Sequence, residues 1–530
     1  MKYRNLLIGL ACLAAFSACK DEYTFVPEYK VSFDVDEVMT STVDASKTYQ
    51  EIDGFGASGA WTMDYVGKYW DDSAKEDMSK LLFSQEVISG VPQGIGLSIW
   101  RFNLGGGSYE KGNDSGITNS VRRVECFLNE SGSYDWSKSS GQQYFMRQAK
   151  DYGCDQFVLF SNTPPVFMTK NGQGRSGAGA NANLKDDYYD DFADFLATTA
   201  EHFQGQGYNI SHISPVNEPE YNWNGTDQEG SGWQNSEIAK LAKELDKSLT
   251  AKGLDNTMML LSEAAHWEYT YNTTSNSRGN AIDSYFNSAN TNTYIGNLTH
   301  LKKELCAHSY YSGVTWDQMY SYRSQAYEKA KEFGLKLHQT EWSMLEEYED
   351  CPFATANYMD YALAMSRVIH QDLVTANVSS WSYWTAASQE QYSQMSRFYL
   401  IRLTPKGGDY GDIKESGEYS ASKNLWVLGN YSLFIRPGYT RIDLNIPGAS
   451  KDFFGSAYIS PDKDKVVVVY TNMSDKNIQI ENTIEGLTDK QIVSSKQYVT
   501  SNTTDLQYLP AMLQGYLAAK SVSTFIYELQ

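Results

Sequence analysis

Between residues 52 and 384 the sequence alternates strand-like and helix-like patterns eight times. That rhythm limits the available folds more than any other feature. The strand-like runs are Ile52–Gly56, Gly96–Leu104, Asp155–Phe160, Ile210–Val216, Thr257–Leu261, Leu305–Tyr310, Leu335–Thr340 and Val378–Trp384. They are short, mostly apolar and rich in branched and aromatic residues, as strands buried on both faces should be. Between them, segments such as Asp186–Phe203, Glu237–Leu249, Asp317–Phe333 and Tyr358–His370 place apolar residues at i, i+3 and i+4, the spacing of an amphipathic helix. Strands joined by helices must run parallel. Eight such units predict a (β/α)8 barrel, an α/β fold, with a doubly wound sheet as the alternative.

The pattern changes after the eighth run. Residues 425–435 read as a last helix, stopped by Arg436-Pro437-Gly438. Six short strands with turn signals follow: Arg441–Asn445, Phe454–Ile459, Lys465–Tyr470, Ile478–Glu481, Gln491–Tyr498 and Ser521–Glu528. This tail predicts a β-sandwich side domain. The extended-looking segment Tyr29–Val43 is expected to add a strand to it. The expected boundaries are 1–18 for a signal peptide, 19–45 for a tether and sandwich strand, 46–436 for the barrel and 437–530 for the sandwich. There is no internal repeat and no long linker, so the two domains should pack tightly.

The start of the chain reads as an address. Lys2 and Arg4 precede an apolar run from Leu6 to Phe16 that is too short to span a bilayer. Phe16-Ser17-Ala18-Cys19 resembles a bacterial lipobox, which would make Cys19 the lipidated N-terminus. Lys20-Asp21-Glu22 resembles the export tag of Bacteroides-type lipoproteins. An outer-membrane location follows, lipid-anchored and facing either the cell surface or the periplasm. Cys126, Cys154, Cys306 and Cys351 are scattered; they read as buried thiols, with one disulfide possible in an oxidising compartment.

Composition excludes several functions. With 44 Lys and Arg against 65 Asp and Glu the net charge is −21, so nucleic acid is not an expected partner. The chain has no HExxH, and its His and Cys do not cluster at ligand spacing, so neither a metal nor a cofactor is expected. Gly54-x-Gly56-x-x-Gly59 imitates a dinucleotide fingerprint, but the polar Tyr49–Asp53 before it is no buried strand. It reads instead as a tight barrel turn. Phosphate-loop and nucleophile-elbow motifs are absent from the sequence. The Gly172–Gly179 stretch reads as a mobile loop after the third strand. Tyr and Trp are abundant, 39 and 12, and flat rings with polar tips suit polyhydroxylated ligands as well as cores.

Two carboxylates stand where a barrel performs chemistry. The fourth strand ends in Pro215-Val216-Asn217-Glu218-Pro219 and the seventh in Gln339-Thr340-Glu341-Trp342. Functional groups of such barrels project from the C-terminal strand ends, and strands four and seven face each other across the mouth. A facing pair of carboxyls is what glycoside hydrolysis requires, one as acid and one as nucleophile. A solvated loop carboxylate is the plain alternative for either alone. It is a weak account of both together.

These residues carry a resemblance. Gln50-Glu51-Ile52-Asp53-Gly54-Phe55-Gly56, Trp100-Arg101-Phe102-Asn103, Pro164-Pro165, Asn217-Glu218-Pro219, Thr340-Glu341-Trp342 and Leu433–Gly438 occur in the order seen in glycoside hydrolase family 30, from residue 48 to the C-terminus. The resemblance implies a retaining clan A enzyme with a side domain built from both termini. It assigns Glu218 as acid/base and Glu341 as nucleophile. It implies that Asn217 contacts the sugar 2-hydroxyl and that Arg101 orients the nucleophile. Trp384, with Trp381 beside it, would floor the −1 subsite. His308 and Tyr310 become hydrogen-bonding candidates, and Trp61 and Asp64 candidate pocket walls. Packing or a structural salt bridge is the alternative for Trp61, Arg101 and His308.

Asn162 stands where many family members have Trp, and Glu220–Trp223 is followed by Gln228-Glu229-Gly230. Both features look more like the endo-β-1,6-galactanase branch than the glucosylceramidase or glucuronoxylanase branches. The expected protein is a monomeric, retaining, lipid-anchored hydrolase of β-linked polysaccharide, with β-1,6-galactan preferred and β-1,6-glucan or xylan as alternatives. A non-catalytic glycan-binding lipoprotein is the rival class.

Overall fold

The computed structural model describes residues 34–177, 181–274, 278–488, 490–510 and 514–530. The signal segment and Cys19 lie outside the described residues. Eight parallel strands form the barrel: Gly54–Ser58, Ile99–Leu104, Gln156–Ser161, Ile210–Ser214, Met258–Met259, Glu304–Ala307, Lys336–Gln339 and Ser380–Tyr383. In order around the sheet they run 5-4-3-2-1-8-7-6. The seam between the fifth and sixth closes through Cys306 N donating to Leu261 O at 2.7 Å and His308 N to Ala264 O at 2.8 Å.

The sequence pattern overshoots most of these strands at the C-terminal end. Residues 215–216, 260–261, 308–310, 340 and 384 fall within the expected runs but lie beyond the paired strands.

The helices start and stop where side chains allow. Helix Tyr358–His370 begins at Asn357, whose Oδ1 accepts from Met359 N at 2.8 Å and Asp360 N at 3.1 Å; Asp360 returns a carboxylate to Asn357 N at 3.0 Å. This reciprocal cap satisfies otherwise orphaned N–H groups. Helix Trp316–Phe333 ends at Gly334, φ +65°, a left-handed turn open to glycine. It feeds the chain directly into the seventh strand.

Helices Thr62–Tyr69 and Ser140–Asp151 touch backbone to backbone. A Cβ on Gly141 would meet Asp64 O at 1.8 Å. Asp64 belongs to this joint and not to the pocket. Its carboxylate accepts from Gly141 N at 3.0 Å and Gln142 N at 3.1 Å, satisfying the second helix's N-terminus, and pairs with Lys68 at 2.7 Å. The expectation that Asp64 lines the pocket is corrected: a carboxylate one turn into a helix facing another helix's N-terminus finds its partners there.

The side domain is a nine-stranded mixed sheet folded over a core of its own. Its N-terminal strand, Glu37–Glu51, lies antiparallel to Thr440–Asn445 and parallel to Ile478–Glu485. It continues past the expected boundary at residue 45. Two strands that the sequence pattern did not suggest, Gln507–Leu509 and Tyr516–Leu517, complete the sheet. Strand Lys465–Asn472 is buried on both faces. Val466, Val468 and Tyr470 fill the sandwich core, while Val467 and Val469 pack into the barrel's cluster. Tyr498, Val522 and Ile526 of neighbouring strands join the same cluster, and residues 37–530 form one compact unit.

A further three-stranded sheet, Ala387–Gln389, Ile401–Thr404 and Glu418–Ala421, follows the eighth barrel strand. It was not expected, because its strands alternate too briefly to stand out. The described part of the glycine-rich loop is also better tied than expected: Gly174 N donates to Ser115 O at 2.9 Å and Ser176 N to Gly230 O at 3.0 Å. All four of Cys126, Cys154, Cys306 and Cys351 are buried free thiols.

Candidate active site

A cavity of about 460 Å³ opens at the C-terminal mouth of the barrel. Trp61, Asn217, Glu218, Tyr310, Glu341 and Trp384 line it, all six expected at the site. Glu218 adopts φ +41° just after the fourth strand, with its N–H donating to Glu263 O at 2.9 Å. That turn aims the carboxylate across the mouth instead of along the strand. Acceptor or donor atoms of Glu218, His308 and Glu341 all lie within 4.8 Å of one another.

Glu341 is almost wholly buried. Its Oε1 accepts from Arg101 Nη1 at 2.8 Å, and its Oε2 accepts from Tyr310 Oη at 3.4 Å. Arg101 also reaches Glu263 through Nη2 at 3.3 Å, and its guanidinium lies 4.4 Å over the Phe160 ring. Glu263 is completely buried. It accepts from Ser214 Oγ at 2.5 Å, from His308 Nε2 at 3.0 Å and from Thr340 Oγ1. His308 Nδ1 donates to Glu218 Oε1 at 3.0 Å and lies 3.6 Å from Glu341 Oε2.

The electrostatics follow from burial and pairing. Burial alone would strip the charge from His308, but the field of Glu341 and the hydrogen bonds to Glu218 and Glu263 outweigh it and push its pKa up to about 10. The ring is therefore an imidazolium at neutral pH. Glu263 is pulled well below the usual carboxylate range, because Arg101, His308 and Ser214 overcome its desolvation. Glu341 is raised, chiefly by burial and further by Glu218 and Glu263, against the opposing pull of His308 and Arg101. Two buried cations thus face three carboxyls, so these groups titrate as one coupled cluster.

Glu218, His308 and Glu341 also have the residue types of a metal site. Both His308 nitrogens, however, donate to carboxylates, and an imidazolium has no lone pair for a cation.

Trp381 does not reach the cavity. It is fully buried behind the strand, where its Nε1 donates to Asp372 Oδ2 at 2.9 Å. Trp381 and Trp384 are an odd number of residues apart, so a period-two strand sends them to opposite sides. Trp384 alone faces the cavity, edge-on to Trp61 at 5.1 Å between ring centroids. Asn217 lines the cavity and is buried, with its Oδ1 unpartnered. Asn162 is buried with neither amide atom partnered and is not part of the wall.

Glu263, Glu220 and Arg122 were not among the expected site residues. Glu263 had a readable signal, since it follows the fifth strand as Glu218 follows the fourth. Glu220 lies deep in the wall, accepts from Ala265 N at 3.4 Å and is pushed up to about 7 by burial. Arg122 comes from the long loop after the second strand, and nothing in its local sequence marked it.

The His308 pairing yields a stability test. Its folded pKa lies above the ordinary histidine value near 6.5, so its contribution is complete below that pH and is lost as pH rises toward 10. The thermal midpoint of wild type should therefore exceed that of His308→Gln most below pH 6.5, and the gap should narrow steadily up to pH 10. A gap independent of pH would show that His308 is neutral in the folded protein.

Residues 38–397 match the family described as O-Glycosyl hydrolase family 30. The chain is 28% identical over 422 residues, 75% of each sequence, to an endo-beta-1,6-galactanase of Hypocrea rufa. A crystal structure of a conserved exported protein from Bacteroides fragilis superposes with a TM-score of 0.84 and 32% identity, over 92% of this chain and all of that one. The catalytic domain of a GH30 xylanase C from Talaromyces cellulolyticus shares the fold, with a TM-score of 0.64 and 20% identity over 92% of this chain and 99% of that one. The family match covers most of the barrel, including the mouth where the two carboxyls meet, and the chain is thus a glycosidase belonging to O-glycosyl hydrolase family 30.

Proposed function

We propose that the protein is a retaining endo-β-1,6-galactanase in which Glu341 is the nucleophile and Glu218 the acid/base. The observation that carries the mechanism is the spacing of the two carboxylates. Their oxygens approach within 4.8 Å, the short separation that suits direct attack on the anomeric carbon, about 5–5.5 Å in retaining enzymes, and leaves no room for an intervening water.

Glu341 attacks the anomeric carbon while the bond to the leaving oxygen breaks, and Glu218 donates its proton to that oxygen. Arg101 and Tyr310 fix the two oxygens of Glu341, so attack needs little reorganisation. Tyr310, buried and pushed well above its ordinary pKa by desolvation, stays a neutral donor throughout. In the second step Glu218, now a carboxylate, removes a proton from water. The water attacks the glycosyl ester and releases Glu341. Asn217 Oδ1 accepts from the 2-hydroxyl, and Trp384 presents an apolar face to the sugar ring.

The preference for β-1,6-galactan rests on the Glu220–Trp223 and Gln228–Gly230 segments and on the relative from Hypocrea rufa. The reading also keeps the chain as a monomer lipidated at Cys19 and tethered to the outer membrane, on the strength of the lipobox-like segment.

Glu341→Ala and Glu218→Ala should each lower kcat by roughly 10⁴-fold or more while glycan binding stays measurable. Azide should restore turnover differently in the two. The Glu341 variant should yield the α-glycosyl azide, and the Glu218 variant the β-glycosyl azide with an activated leaving group. Exchange of those products would reverse the assignments. A panel of β-1,6-galactan, β-1,6-glucan and xylan, with product lengths read chromatographically, should show mixed oligosaccharides from galactan. Cleavage confined to glucan or xylan would remove the preferred substrate. Labelled palmitate should enter the wild-type protein and not Cys19→Ala; equal labelling would remove the anchor.

A further inference from the structure

Among the described residues that line the cavity Arg122 is the only Lys or Arg, facing a lining that carries Glu218, Glu220 and Glu341. Its guanidinium lies 4.7 Å from the Trp61 ring and 5.8 Å from the Tyr392 ring. The neighbouring Arg123 uses its guanidinium locally, on Ile117 O at 3.0 and 2.8 Å and Asn113 Oδ1 at 2.8 Å. Arg122 makes no side-chain hydrogen bond or ion pair with any of the described residues. Asp227 is near enough to favour its charge but forms no ion pair with it, and burial lowers the guanidinium's pKa. The indole beside it is similarly unused: Trp61 Nε1 is buried without a partner.

The turn that carries Arg122 is built firmly. Asn119 Oδ1 accepts from Val121 N at 3.1 Å, and Tyr65 Oη donates to Ser120 O at 2.9 Å. Thr118 N donates to Thr226 O at 2.8 Å, clasping the turn to the loop that follows Glu218. Stacking on aromatic faces fixes a guanidinium's plane and leaves its N–H edges free. Here a cation without an acceptor borders a cavity whose other charged groups are carboxyls.

We propose that Arg122, held by Trp61 and Tyr392, forms a subsite for an anionic substituent on the glycan, a carboxylate or a sulfate ester, so that the enzyme prefers acidic chains over neutral ones. A planar guanidinium matches two acceptor oxygens at once, which neutral hydroxyls do not offer in fixed geometry. The inference also gives the Trp61 ring a role, as the support of the guanidinium.

This inference rests on the glycosidase reading but not on the galactan preference, because it can be tested on whichever backbone the panel selects. Three oligosaccharides of that backbone are compared: neutral, uronate-bearing and sulfated. The kcat/KM ratio of acidic to neutral substrate should be about tenfold or more for wild type, should shrink with added salt, and should fall to about one in Arg122→Gln. Arg122→Lys should recover part of it, less well for the bidentate carboxylate. The uronate and sulfate arms show which anion is read. A wild-type ratio near one, or a Gln variant that keeps the ratio while losing activity on every substrate, would overturn the proposal.

Discussion

The ion pairs of Arg101 hold the barrel mouth together. One guanidinium from the second strand reaches a carboxylate after the fifth and another after the seventh, and His308 after the sixth ties the same two groups to Glu218 after the fourth. Four strand ends are thereby locked to a fifth by charge-assisted hydrogen bonds, with Arg101, Glu263 and His308 almost fully buried. Burying such charges is costly, and the cost is recovered only when partners and geometry are nearly complete. Removing one member leaves its partners charged and buried, at about 3–5 kcal/mol for a broken buried pair. The network therefore acts as a template: it does little for net stability and much for fixing the position of each carboxyl.

The two carboxyls differ through what surrounds them. Glu341 is clamped on both oxygens and nearly sealed, whereas Glu218 is more open and touches only the imidazolium through its side chain. Glu263 pairs with both cations without reaching the cavity wall. It lets Arg101 and His308 stay charged beside groups that gain and lose protons. A barrel is well suited to this division of labour, since neighbouring strand ends lie close enough for direct hydrogen bonds while each is anchored separately in the sheet.

The architecture was largely legible in the sequence because burial writes itself into pattern. Strands covered on both faces read as apolar runs, such as Gln156–Ser161, and helices as 3.6-residue stripes, such as Tyr358–His370. The inserted three-stranded sheet and the short strands Gln507–Leu509 and Tyr516–Leu517 escaped because two or three residues cannot establish a period. Among site residues, position at a strand end marked the two glutamates, while Arg101, His308 and Tyr310 came from the family resemblance. Trp381 and Asp64 were not so served. Strand parity carried the first to the outer face, and a neighbouring helix N-terminus captured the second.

The sequence by itself determined the order of strands and helices, the carboxylates at the ends of the fourth and seventh strands, and the match to a family. These are properties of local pattern and chemical type, which the chain carries before it folds. Only the tertiary structure decided which charges compensate one another. Glu263 and Arg101 are 162 residues apart, and no local feature of either predicts their contact. It decided likewise that Arg123 turns inward to its own loop while Arg122 faces the cavity between two rings from the first and eighth units. Pairing, burial and the left-over donors of a cavity depend on distances through space, and closure of the barrel is what sets those distances.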